Sequence, residues 1–175
     1  MSKNHVRVPL VLPGTNPQLE KIENKIMAER GRISLLYQVL LNSEPIASGW
    51  EQMLTAVRSK TEIEPSLREM MILRVAVLNS ANFEFEAHIP HALKAGVSQE
   101  KIDRIKMPEI DHHFTEQERL LMLLTDHMTR DVKVPDHVIT TLSAHYSPKE
   151  LVEIVATIAA YNMVSRFLVA LNISH

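Results

Sequence analysis

The chain of 175 residues contains no cysteine. Disulfides, thiolate nucleophiles, Cys-based zinc sites and any CxxC redox centre are therefore excluded. Glycine occurs only four times, and no Gly-rich phosphate loop is present. A GxSxG signature for Ser-His-Asp catalysis is missing as well. Neither sign of charge dominates: the net charge is −2, so nucleic acid and anionic membrane surfaces are not expected as partners. The N-terminal stretch MSKNHVRVPLVLPG has a short apolar patch but no secretory h-region. The longest apolar segment, Leu151 to Ile173, is interrupted by Glu153, Asn162, Ser165 and Arg166. It reads as a buried or interfacial helix rather than a membrane span. A cytoplasmic, reduced setting is the expectation these absences leave.

What is present suits one globular domain with a proper core, since hydrophobic residues make up 45% and charged residues 23%. Residues 1–15 read as an extended N-terminal arm, and residues 16–175 as a single helical domain. Asn16-Pro17 looks like an N-cap followed by Pro at N1, opening a helix that runs to about Arg30 and stops at Gly31. Further helices are predicted over Ile33–Leu41, Ile46–Ser59, Pro65–Leu78, Phe83–Ala95, Ser98–Lys106, Leu120–Thr129, Pro135–His145 and a long last one to about Leu171. Pro90 should kink the fifth of these. Thr115 with Glu118, and Ser147 with Glu150, read as capping boxes. No alternating strand pattern longer than a few residues occurs, so the fold class is all-α. A weak repeat links PSLREMMILRVAVLN to SPKELVEIVATIAAYN and would fit two similar helical halves.

The chemistry-bearing stretch is Leu67 to Gly96. Between Met70 and Leu78 only Arg74 interrupts the apolar run, so that helix should be buried on most sides. On the next helix Glu84, His88 and His91 are spaced i, i+4 and i+7, which puts all three on one face. A carboxylate beside an imidazole holds its tautomer and raises its pKa, giving a proton donor or acceptor near neutral pH. Glu69 reaches the same histidine if the two helices pack antiparallel. Ordinary explanations exist: Ser66 and Glu69 fit a capping box, and Glu84 with His88 fits a surface pair. Glu84, His88 and His91 also resemble part of a zinc or iron site, but no fourth ligand is identifiable. Asp111-His112-His113 is weaker still, since adjacent loop residues need not converge. No metal is expected.

These residues resemble the core of the carboxymuconolactone decarboxylase family. Arg68-Glu69, Ile72-Leu73 and Val75-Ala76 match its R-E-x-x-I-L-x-V-A run. Phe83-Glu84-Phe85-x-x-His88 stands for its Y-E-W-x-x-H, and Ala92-x-x-x-Gly96 for its A-x-x-x-G. Upstream, LLNSEPIASGWEQMLTAVRSK resembles the family's L-L-H-S-P…W…V-R, and the tail resembles its N-x-x-x-R-x-x-x-A-L. The resemblance extends to the alkyl hydroperoxidase-D branch, which uses a Glu, a CxxC pair and a His. Here Glu69 and His88 hold the outer positions, while Ala81 and Glu84 stand where the thiols would be. Asn42 replaces the family's His, and Phe83 and Phe85 replace Tyr and Trp.

The resemblance implies an AhpD-like helical bundle, a homo-oligomer (trimer or hexamer) with sites near subunit contacts, and no cofactor. The expected activity is a cofactor-independent lyase or isomerase acting by general acid–base catalysis on a small carboxylated lactone or enone-like molecule, with decarboxylation or cyclisation as variants. A non-catalytic oligomeric small-molecule-binding protein is the rival reading. The candidate catalytic residues are His88, Glu69 and Glu84, with the choice of carboxylate partner for His88 left open. The candidate substrate-binding residues are Arg74, Phe83, Phe85, His91, Asn42 and Trp50.

Overall fold

The computed structural model describes residues 6–174; Met1 to His5, the start of the expected arm, and His175 lie outside the described residues. Among the described residues there are nine α-helices, one short 3-10 helix and no strand. They are α1 (Glu20–Arg30), α2 (Leu35–Leu40), α3 (Glu44–Ser59), α4 (Pro65–Leu78), α5 (Asn82–Lys94), α6 (Gln99–Arg104), α7 (Glu116–Arg130), α8 (Asp136–His145) and α9 (Pro148–Ala170). The chain forms two compact units, residues 6–60 with 170–174 and residues 61–169.

In the first unit Asn16 caps a 3-10 turn by accepting from the Gln18 amide, and α1 follows it. Gly31 closes α1 in the left-handed region at φ 73°, where a side chain would be strained. Residues of the arm are tied to their own unit: Val11 N–H donates to the Gln38 carbonyl at 3.0 Å and Arg7 N–H to that of Leu171 at 3.0 Å. Glu51 is fully buried yet fully met, accepting from Arg30 Nε at 3.1 Å, from Thr55 Oγ1 at 2.6 Å and from the Tyr37 hydroxyl.

The second unit is built around α4. Leu67 and every residue from Glu69 to Ala76 are buried, so α4 has no solvent face. It packs against α5 and α7. The predicted capping box at its start does not form. Ser66 Oγ donates to Glu64 instead, at 2.7 Å, and Glu69 is turned inward. The boxes at Thr115/Glu118 and Ser147/Glu150 do form.

Asn79 and Ser80 break the chain after α4, with Ser80 at φ 54°, and α5 folds back along α4 as a helical hairpin. The repeat pattern diverges at this point, because α9 runs unbroken through Asn162. The two asparagines that end the repeated segment nevertheless meet, Asn79 Nδ2 donating to Asn162 Oδ1 at 3.0 Å. α9 is long and apolar enough to cross a membrane by length and composition, and half of its most apolar window is buried inside the protein.

Arg74 is the largest fully buried side chain of this unit, and all its donors are spent. Its Nε and Nη2 fork onto Asp126 of α7 at 2.6 Å each. Nη1 donates to the carbonyls of Ile105 and Met107, and Nη2 also to that of Pro108. This corrects the expectation that Arg74 holds a substrate carboxylate: it is a pin joining α4, α7 and the segment after α6. Replacing Arg74 by Met should cost about 3–5 kcal/mol of unfolding free energy, because Asp126 and three carbonyls lose their partner. Urea denaturation followed by circular dichroism measures it.

Candidate active site

The hairpin of α4 and α5 brings Glu69 to His88. Glu69 Oε2 lies 2.7 Å from His88 Nδ1, and both side chains are buried. Arg68 stands on the other carboxylate oxygen, its Nε 3.5 Å from Glu69 Oε1. Burial works against ionisation of Glu69, but the hydrogen bond and charge of His88, with the charges of Arg68 and His91, outweigh it and hold the carboxyl below its ordinary range. With Nδ1 engaged by a carboxylate, Nε2 is the nitrogen left for proton transfer. The Tyr161 ring of α9 stands edge-on to the imidazole, centroids 5.1 Å apart, and holds its plane.

Glu84 sits one turn before His88 but does not pair with it. Its Oε2 accepts from Ser165 Oγ on α9, and its buried Oε1 has no hydrogen-bond partner. Burial without a cation pushes this carboxyl up to about 8, against the opposing effect of the Ser165 hydroxyl. The cluster thus holds two buried carboxyl groups in opposite protonation states at neutral pH.

The remaining candidates divide. His91 lies exposed beside His88, with ring centroids 5.5 Å apart. Phe83 is half-buried on the same helix. Phe85 is buried with Lys106 Nζ 5.1 Å above its ring, so it packs under the segment after α6. Asn42 and Trp50 belong to the first unit. Asn42 Nδ2 is spent on the carbonyls of Pro9 and Val39, at 2.7 and 3.0 Å, so its amide holds the arm rather than being presented to a ligand. Trp50 is buried within α3.

Ser165 and Tyr161 went unpredicted as site residues. Their signal was present: polar groups interrupt an otherwise apolar helix, four residues apart. Glu84 and His88 each turn to another partner, which removes the partial metal site read from Glu84, His88 and His91. Asp111, His112 and His113 do converge, with ligand atoms within 4.8 Å of one another. Asp111 already binds Arg104 at 2.7 Å and His113 at 2.9 Å.

An all-helical unit whose central hairpin joins a Glu to a His is the AhpD-like helical fold. A solved structure of a protein of unknown function from Agrobacterium tumefaciens, with the antioxidant defence protein AhpD as its suggested identity, matches at TM-score 0.72 and 26% identity, over 78% of this chain and 94% of that one. An uncharacterized peroxidase-related protein from Silicibacter sp. TM1040 matches at TM-score 0.80 and 16% identity, over 98% and 93%. The debrominase Bmp8, in complex with 2,3,4-tribromopyrrole, matches at TM-score 0.79 and 15% identity, over 96% and 90%. In sequence, the uncharacterized protein YdfG of Bacillus subtilis is 24% identical over 115 residues, 65% of this chain and 78% of that one.

Residues 44–127 match the carboxymuconolactone decarboxylase family. Over that stretch the chain belongs to this family, as a member without the CxxC pair.

The raised Glu84 pKa has a stability consequence of definite sign. A carboxyl whose folded pKa lies above its unfolded one contributes fully at low pH. Its contribution is lost as pH rises from the ordinary carboxylate range to about 8. Glu84→Gln should therefore gain on wild type across that window, by up to about 1.4 kcal/mol per pH unit, and level off above it. Paired urea titrations at successive pH values measure the difference.

Proposed function

We propose that this protein is a cofactor-independent lyase or isomerase that works by general acid–base catalysis on a small carboxylated lactone or enone-like substrate. The observation that carries this reading is the buried Glu69–His88 pair with a second buried acid, Glu84, one turn away on the same helix. Glu69 accepts from Nδ1 and steadies the imidazole, so that Nε2 takes or delivers the proton. Glu84, with its carboxyl pushed up to about 8, is mostly protonated at neutral pH and serves as donor to a developing enolate oxygen.

In decarboxylation the C–C bond electrons pass into the conjugated carbonyl as CO2 leaves. Glu84 meets the enolate oxygen, and the His88 imidazolium returns a proton to carbon. In isomerisation the same groups move a proton between two carbons of the conjugated system without loss of CO2. The unsaturated substrate is itself the electron sink, so neither route calls on a cofactor. The debrominase of the same fold takes a small planar ring, a substrate of the size proposed here.

The rival reading, an oligomeric small-molecule-binding protein without catalysis, has no use for two buried carboxyl groups set to opposite protonation states. We assign Glu69, His88 and Glu84 the catalytic roles. Assays of CO2 release and lactone consumption with 4-carboxymuconolactone test the reading. His88→Ala should lose activity by about 10²–10⁴-fold, the usual contribution of a general acid–base group. Glu69→Gln should also lose activity, with a displaced pH profile. Full activity in His88→Ala would sink the assignment.

We also propose assembly as a trimer or hexamer. Val152, Met163 and Val169 of α9 are 68%, 42% and 49% exposed in the single chain, an apolar surface that a second copy would cover. Light scattering after size exclusion should give a multiple of the chain mass, reduced by Met163→Lys.

A further inference from the structure

α5 and α9 run antiparallel in a register that gives each polar group of α5 one residue of α9. Glu84 meets the Ser165 hydroxyl, and His88 meets the edge of Tyr161 at 5.1 Å. Each pair of positions is four apart on its own helix, so both contacts fall on one seam. All four side chains are buried.

The Glu84 carboxyl is asymmetric in this seam. Oε2 accepts from Ser165 Oγ, while Oε1 is buried without a partner. A neutral carboxyl has one carbonyl oxygen and one hydroxyl. A donor fixed on one oxygen makes that oxygen the carbonyl and leaves the proton to the other.

We propose that Ser165 is a positioning residue: by donating to Oε2 it orients the Glu84 carboxyl and sets the acidic proton on Oε1, where a substrate oxygen can receive it. This rests on the reading of Glu84 as the acid, yet the orientation itself is measurable without a substrate. The plain rival is that Ser165 is only a small residue at a helix crossing. The titratable groups of the cluster are His88 and His91 on the same helix, Arg68 and Glu69 on α4 and Tyr161 on α9. Among the influences acting on Glu84, burial opposes its ionisation and the Ser165 hydroxyl favours it.

The experiment is a 13C NMR titration of the full-length protein labelled at glutamate carboxyl carbons, with Glu84→Gln identifying the resonance. Ser165→Ala should move the Glu84 midpoint up by about one pH unit, tenfold in ionisation constant, because a donor to the charged form is lost. Ser165→Thr, which keeps the hydroxyl, should restore it. If Ser165→Ala does not fold, Ser165→Cys, a weak donor of similar volume, should move the midpoint the same way. An unchanged midpoint, or a wild-type Glu84 that titrates in the ordinary carboxylate range, overturns the proposal.

With 4-carboxymuconolactone as probe, Ser165→Ala should lower kcat at least tenfold while KM holds. A shifted midpoint with unchanged kcat in an active enzyme overturns the positioning role. If wild type does not act on the lactone, the functional reading fails separately, and the titration still decides the orientation.

Discussion

A helix with no solvent face that nonetheless carries Glu69 and Arg74 sets the terms for this protein. An uncompensated charge in such a place costs several kcal/mol, so each must meet its counterpart from another element. Arg74 draws Asp126 of α7 and three carbonyls after α6 to one guanidinium. Glu69 draws His88 of α5, with Arg68 at its side. The register of α4 against its neighbours follows from these two demands as much as from apolar packing. The histidine that satisfies a structural need is also the group best placed to move a proton.

Glu84 is the contrasting case. It is as deeply buried as Glu69 but is met by a hydroxyl rather than a cation. With no positive charge to hold its ionised form, it lowers its cost by keeping its proton. Two carboxyl groups of the same type, one on each helix of a hairpin, are separated in function by their surroundings alone. In a chain without cysteine, where the redox branch of the superfamily has a thiol, the acid gives the site a second proton-carrying group.

The helices themselves were legible residue by residue. Gly31 and Gly96 end helices in left-handed conformations at φ 73° and 91°, as a stop signal should. Thr115 with Glu118 caps α7 as its spacing foretells. Where spacing misled was in the choice of partner. Ser66 and Glu69 have the capping-box pattern, but the core bids for the carboxylate more strongly than an exposed helix end. Glu84 and His88 have the i,i+4 spacing of a surface pair, worth only a few tenths of a kcal/mol. A buried hydrogen bond to a charged group is worth more, and it takes each of them elsewhere.

From its residues alone, then, this protein was determined to be all-helical, free of thiol chemistry and provided with a carboxylate–histidine site on the stretch from Leu67 to Gly96, because helix periodicity and residue type are local properties. Only tertiary structure decided that Glu69 rather than Glu84 holds His88, that Arg74 is a structural pin and that Ser165 and Tyr161 of a distant helix complete the cluster. The physical reason is that burial and charge compensation depend on what is packed alongside. In a helical fold those neighbours come from far along the chain: Ser165 lies 81 positions from Glu84.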